Sequence, residues 1–252
     1  MDEQQPVAAA ATPTSFMTRV MNVITSPSTV YEEVAVTPVQ TTSWLVPLLI
    51  TVVMVFVATY VVYNNPALRQ QIWDMQEIAM KKQVEKGNMT QDQMEQRLNQ
   101  MQNSGSTMFM LFGGGFGTFG VTFMLFGSSL ALWLIIKFGF KSAVSYSKVL
   151  ETLGLAMMIG VVGSIATLVT INVMNSLYAT PGPALALGDS FDPANTAHKL
   201  LSAANIFTIW EVAVFGIGIA KISGKSVGTG VGLTLVLWAL WTVISNVLGI
   251  GR

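Results

Sequence analysis

The 26 charged residues of this chain are unevenly placed, leaving four long charge-free stretches at 34–68, 98–136, 152–188 and 226–251. A fifth apolar stretch, Leu200 to Ala220, is interrupted by Glu211 alone. A bilayer core about 30 Å thick asks for roughly 20 apolar residues per helix. Five spans therefore fit, expected near 44–63, 117–137, 149–173, 200–220 and 227–250. Helix is the expected form, because lipid cannot satisfy an open sheet edge. The fold class that follows is all-α: a polytopic membrane bundle of about five transmembrane helices.

Composition narrows the function classes. Apolar residues make up 52% of the chain and charged residues 10%, against about 25% charged in a soluble domain. Thirteen Lys and Arg balance thirteen Asp and Glu, so the basic footprint of a nucleic-acid binder is missing. Zero cysteines remove thiolate catalysis, disulfides and zinc–thiolate or iron–sulfur sites. No cofactor or metal is expected.

The N-terminus, acidic and without a hydrophobic run, does not read as a signal peptide. Residues 1–14 are expected to be a disordered tail. Phe16, Val20, Val23 and Ile24 then recur at helical spacing before Ser26-Pro27, which reads as an N-cap with proline at the first helical position. A second short helix through Val30, Tyr31 and Val34 should stop before Pro38. Residues 15–37 thus suggest two amphipathic helices at the membrane interface, with a packed linker as the other reading. The membrane domain would fill 38–252.

Residues 64–106 form the one sizeable polar insertion and predict an extramembrane helical hairpin. Leu68, Ile72, Met75 and Ala79 stripe its first arm, Gly87-Asn88 supplies the stop, and Thr90 to Gln93 matches a capping box opening the second. Lys and Arg counts in the loops do not decide orientation. The loops holding Lys137, Lys141 and Lys148, and Lys221 and Lys225, are however basic without local acids, which favours a cytoplasmic N-terminus.

Several literal motifs fail on context. Gly115 to Gly120 spells GxGxxG inside an apolar helix, Gly224-Lys225-Ser226 lacks the upstream glycine of a phosphate loop, and Ser145 to Lys148 spells SxxK without companion elements. His198 stands alone in a Gly/Pro-rich loop region. No catalytic residue is assigned, and an enzyme is not expected.

Glu211 survives this weighing, because an acid inside a span costs about 2.5 to 3.5 kcal/mol on insertion scales. Ser202, Asn205 and Thr208 precede it at three-residue steps and suggest a polar ridge facing Thr167, Thr170 or Asn172 of another span. The intramembrane polar site expected from sequence is thus Glu211, Asn205, Thr208 and Asn172. It would either bind an ion, proton or lipid headgroup, or tie helices together. Small residues, among them Gly160 and Ser164, Gly216 and Gly218, and Gly228 and Gly232, predict close helix packing, while the run Gly113 to Gly117 could unwind.

The order of features resembles the Yip-domain family of Ypt/Rab-interacting five-span membrane proteins. The resemblance rests on Ser26-Pro27 through Tyr31, Trp44 to Pro47, Phe140 to Tyr146, and Asn205 to Glu211 with Phe207 and Trp210, followed by Gly216 and Gly218. It implies a non-enzymatic five-helix protein with a cytoplasmic N-terminus, whose eukaryotic relatives act in vesicle trafficking. The chain lacks the Asp-Leu-Tyr-Gly-Pro stretch of those relatives and carries the 64–106 hairpin, as prokaryotic members do. Both departures weigh against a Rab-type GTPase partner and point to a bacterial cytoplasmic membrane. The partners expected are the lipid bilayer and other membrane proteins. Two functions follow: a membrane scaffold or adaptor, or a small transporter, channel or lipid-moving protein built on Glu211.

Overall fold

The computed structural model describes residues 12–103 and 105–248. It is all-α: among the described residues there are eleven α-helices and no strand, and five helical segments are long and apolar enough to cross a membrane. α1 (Phe16–Thr25) and α2 (Pro27–Val36) are short. The first span is α3 (Thr42–Asn64), and the polar hairpin follows as α4 (Pro66–Glu85) and α5 (Gln91–Asn103). The second span, Ser106–Gly139, is continuous through α6 (Ser106–Phe109), a π turn, α7 (Gly115–Leu134) and a second π turn. α8 (Tyr146–Met174) is the third span. A 3-10 turn (Pro183–Ser190) and α9 (Thr196–Ala203) lead to the last two spans, α10 (Ile206–Ser223) and α11 (Val227–Leu248).

Local chemistry explains the boundaries. Ser15 caps α1, its Oγ accepting from the Thr18 amide, and Pro27 opens α2. Thr90 Oγ1 accepts from the Gln93 amide while Gln93 Oε1 accepts from the Thr90 amide, so the reciprocal capping box forms. Gly87 ends the preceding arm at φ 73°. The two arms touch, but the stripe differs from expectation: Met80 and Met94 are buried with Leu68, whereas Met75 is exposed. Three further expectations need correction. The fourth span begins at Ile206 rather than Leu200, because the backbone breaks at Ala204 between α9 and α10. The glycine run expected to precede the second span lies inside it and stays helical, as a π turn and the start of α7. Thr14, placed in the expected disordered tail, is hydrogen-bonded to Glu33; residues 1–11 of that tail lie outside the described residues.

Contacts divide the chain into two units. One comprises Met1–Leu48, Met124–Ile159 and Glu211–Leu235, the other Leu49–Phe123, Gly160–Trp210 and Val236–Arg252. In the first, the core is Val23, Val30, Tyr31, Val34, Ile136, Leu153, Leu155, Ile159 and Ile219, each essentially inaccessible. Val20 and Val23 of α1 are thus buried against protein, leaving Met17 and Met21 as its exposed apolar residues. In the second, Leu68, Ile171 and Ala179 are buried together beneath Val62, Leu168, Leu177 and Leu185.

Small residues set how closely helices approach. A Cβ on Gly154 would lie 2.3 Å from Trp44 Cα, so α8 and α3 meet backbone to backbone. Gly216 faces Val231 of α11, and Gly218, two residues on and so on another face, meets Thr152 and Tyr31. On α11 the contact glycine is Gly230, where a Cβ would sit 2.1 Å from the Gly216 carbonyl oxygen; Gly228 and Gly232 have open space instead. The prediction follows directly. Gly230→Ala should destabilise the protein in detergent by about 1–3 kcal/mol, the usual cost of overpacking, because backbone must move. Gly228→Ala and Gly232→Ala should be neutral or stabilising, as alanine is the better helix former. Thermal melts of the three variants check this; equal losses would show that the α10–α11 approach is not set by Gly230.

Candidate functional site

In the first unit, Arg19 projects from α1 into a site where 1% of its side chain is accessible. A buried guanidinium is tolerated only when paired and fully hydrogen-bonded. All of its N–H donors are used. Nε and Nη2 both donate to Glu33 Oε1, at 2.9 and 2.7 Å. Nη1 donates to Glu151 Oε1 at 2.8 Å and to Ser43 Oγ at 3.2 Å, and Nη2 also reaches Thr37 Oγ1 at 3.1 Å. The acceptors come from α2, the α2–α3 connection, the start of α3 and the start of α8. One side chain therefore fastens four segments.

The acids are equally occupied. Glu151, wholly buried, accepts from the Gln40 amide and, through Oε2, from Lys148 Nζ at 2.7 Å. Lys148 also donates to the Thr37 carbonyl. Glu33 takes two further bonds, from the Thr14 amide and hydroxyl. Burial alone would push the Glu33 carboxyl up, but the Thr14 and Arg19 hydrogen bonds and the Arg19 charge outweigh it and hold it below the ordinary value. Arg19 and Lys148 against Glu33 and Glu151 leave no net charge in the cluster.

Two more polar clasps hold α2. Tyr31 is fully buried and donates its hydroxyl to the Thr152 carbonyl at 3.0 Å. Its phenol is pushed well above the ordinary value by burial, with a further contribution from the Glu211 carboxylate. Glu32 pairs with Lys221 of α10. The loops after the second and fourth spans are also joined: Lys225 lies over the Phe140 ring, 5.5 Å from its centroid. α1, α2 and both acid-poor basic loops accordingly share one unit.

The residues singled out by sequence fall in different places. Asn205 caps α10 by accepting from the Phe207 amide, and its Nδ2 donates to Thr167 Oγ1 at 3.2 Å, one of the pairings expected. Asn172 instead accepts from Asn65, which also donates to Asn175. Thr208 is half-buried on α10. Glu211 is the sixth of the 18 residues of α10 and belongs to the first unit; among the described residues it makes no hydrogen bond or ion pair. Of the family-like residues, Pro27 opens α2, Pro47 is buried in α3, Tyr146 starts α8 with its hydroxyl on the Phe126 carbonyl, and Phe207 lies beside Trp210 and over Gly163. Arg19, Glu33 and Glu151 were not marked by any local pattern. The available signal was Glu151 itself, an acid inside the expected third span, with Lys148 one turn before it.

The family model described as the Yip1 domain matches residues 21–248 of the chain. No curated protein and no solved structure matches.

Removing one partner of a buried pair costs about 3–5 kcal/mol, so Arg19→Met should destabilise the docking of α1 and α2 on that scale, while Arg19→Lys, with three donors for five bonds, should recover only part. Protease cleavage between residues 12 and 40 in detergent reads this out; wild-type resistance in Arg19→Met would refute the fastening. The pH dependence has a definite sign. A carboxyl held below its unfolded value of 4.5 contributes stability present above that pH and lost as pH falls through its folded value. Cleavage of this segment should rise in acid, below about pH 4.5, where Glu33→Gln should remove Glu33's share, and again in strong alkali, where the buried Tyr31 phenol resists ionisation.

Proposed function

The chain belongs to the Yip1-domain family, and we propose that it works as a non-enzymatic membrane scaffold or adaptor in a bacterial cytoplasmic membrane, with its N-terminus in the cytoplasm. The observation that carries this reading is the saturated Arg19 cluster. Its cations and carboxylates are all engaged with one another or with backbone and hydroxyl groups, leaving no acid, base or nucleophile free for a substrate. Such a cluster fastens. What it fastens is α1 and α2, whose outer residues, including Met17, Met21, Thr29 and Ala35, remain exposed as a partner surface. The orientation is supported by the unpaired lysines of the loops that share a unit with these helices.

A second reading, transport or lipid movement, is favoured by one observation: Glu211 lies within a span without a hydrogen-bond partner among the described residues. An intramembrane acid is a default functional candidate. Against it, Asn205 is already engaged, capping α10 and bonding Thr167, and Asn172 bonds Asn65, so both serve helix packing.

Both readings are tested together. In the scaffold, a photo-crosslinking residue at Thr29 should give discrete adducts in cells that disappear in Arg19→Met although the protein still inserts. Proteoliposomes should move neither lipid nor ions faster than empty vesicles, and Glu211→Gln should behave as wild type. Lipid or ion flux abolished by Glu211→Gln, with the melting temperature unchanged, would establish the second reading. For orientation, a cysteine at Ser142 should label from inside and one at Asn99 from outside; the native chain has no cysteine to interfere.

A further inference from the structure

We propose that the ends of the second and fourth spans in the first unit form a binding site for the phosphate-bearing headgroup of an anionic phospholipid, made by Lys137, Lys141 and Lys225. This site does not depend on the scaffold reading, only on the chain lying in a bilayer.

Charge pairing comes first. Among the described residues of this unit, Glu33 and Glu151 are consumed by Arg19 and Lys148, and Glu32 by Lys221, while Glu211 lies inside the fourth span. Lys137, Lys141 and Lys225 are exposed, and none of them is in an ion pair among the described residues. Three cations without an ion-pair partner among the described residues, at span ends joined through Phe140, make a local surplus that an anion would neutralise.

The surroundings specify which anion. Lys137 Nζ lies over the Trp133 ring, 4.6 Å from its centroid, and near Phe138, which is 69% exposed. The Trp133 indole donates to the Val144 carbonyl, and its ring meets Tyr146 edge-on. Trp and Tyr at the end of a span mark the headgroup level, where an exposed phenylalanine has acyl chain to rest in and a lysine has phosphate in reach. A soluble phosphate would have no use for Phe138.

The backbone at Lys141 offers a way to separate charge from fold. Lys141 adopts φ 54°, closing the C-terminus of the second span, where the Ser142 amide bonds the Ile136 carbonyl. That left-handed position is ordinarily glycine's. Gly139 stands two residues earlier, yet the strained position carries a lysine. Lys141→Gly therefore separates the backbone strain at this position from the contribution of the lysine charge.

The test uses the full-length protein in detergent micelles holding equal phosphatidylglycerol and phosphatidylcholine, with bound lipid counted by native mass spectrometry. Wild type should retain phosphatidylglycerol at least several-fold over phosphatidylcholine, since a single lysine near an anionic surface already contributes roughly five-fold. Replacing Lys137, Lys141 and Lys225 together by Gln should bring the ratio near one, whereas Lys81→Gln, Lys82→Gln and Lys86→Gln in the hairpin should leave it unchanged. Lys141→Gly should raise the melting temperature, by relieving strain, while lowering the ratio. Equal retention of both lipids by wild type, equal loss in the hairpin variant, or a Lys141→Gly protein that melts higher with the wild-type ratio would each overturn the assignment. Loss of the preference in excess inorganic phosphate would do so as well, by showing a site for free phosphate.

Discussion

Burying the Arg19 guanidinium constrains everything around it. A planar cation with five donors must meet acceptors on its whole edge, or its desolvation cost goes uncompensated. Here those acceptors are Glu33, Thr37, Ser43 and Glu151, which lie 14, 18, 24 and 132 residues away in the chain. Satisfying Arg19 thus fixes the α1–α2 turn, the path from α2 into α3 and the register of α8. Gly154 against Trp44 and Gly218 against Tyr31 and Thr152 belong to the same constraint, because the acceptors reach Arg19 only if those helices approach closely.

That separation also explains what can be read from the sequence. The spans follow from where charge is absent, a local property, and their number and order agree with the structure. Caps and turns at Ser15, Pro27, Gly87 and Thr90 are local as well. The Arg19 cluster is not, since no periodicity links residues 19, 33 and 151. Glu151 lies so near the start of the third span that it reads as a boundary charge, and Arg19 reads as a mark of topology. Interhelical phase fails similarly. Gly228 and Gly232 have the expected spacing, but which face of α11 meets α10 depends on packing, and Gly230 is the residue that does so.

The fourth span shows both outcomes. Its family-like residues have separate structural tasks: Asn205 caps, Phe207 fills the space above Gly163, Gly216 admits α11 and Gly218 admits Tyr31. A motif of this kind specifies packing on several faces at once, so it marks the family without marking a reaction. Of the expected ridge, Asn205 makes one of the anticipated pairings, to Thr167, whereas Asn172 bonds Asn65.

The two units use different polar means of holding helices. The second relies on neutral amides: Asn65 bonds Asn172 and Asn175, and Gln71 donates to the Asn175 carbonyl while accepting from the Leu177 amide. The first relies on ionised groups. Neutral amides hold at any pH but contribute modestly, on the order of 1 kcal/mol each. A charge-neutral ionic cluster is worth little beyond a well-packed apolar one as long as it is intact, yet breaking one partner costs several times more, which makes it a device of specificity. For a protein whose short helices carry too little apolar surface to hold one position by burial alone, that asymmetry matters. Sliding α1 by a single turn would displace the buried Val20 and Val23 and also leave Arg19 and Glu151 without their partners, so the ionic cluster adds to the valine contacts in selecting one docking geometry.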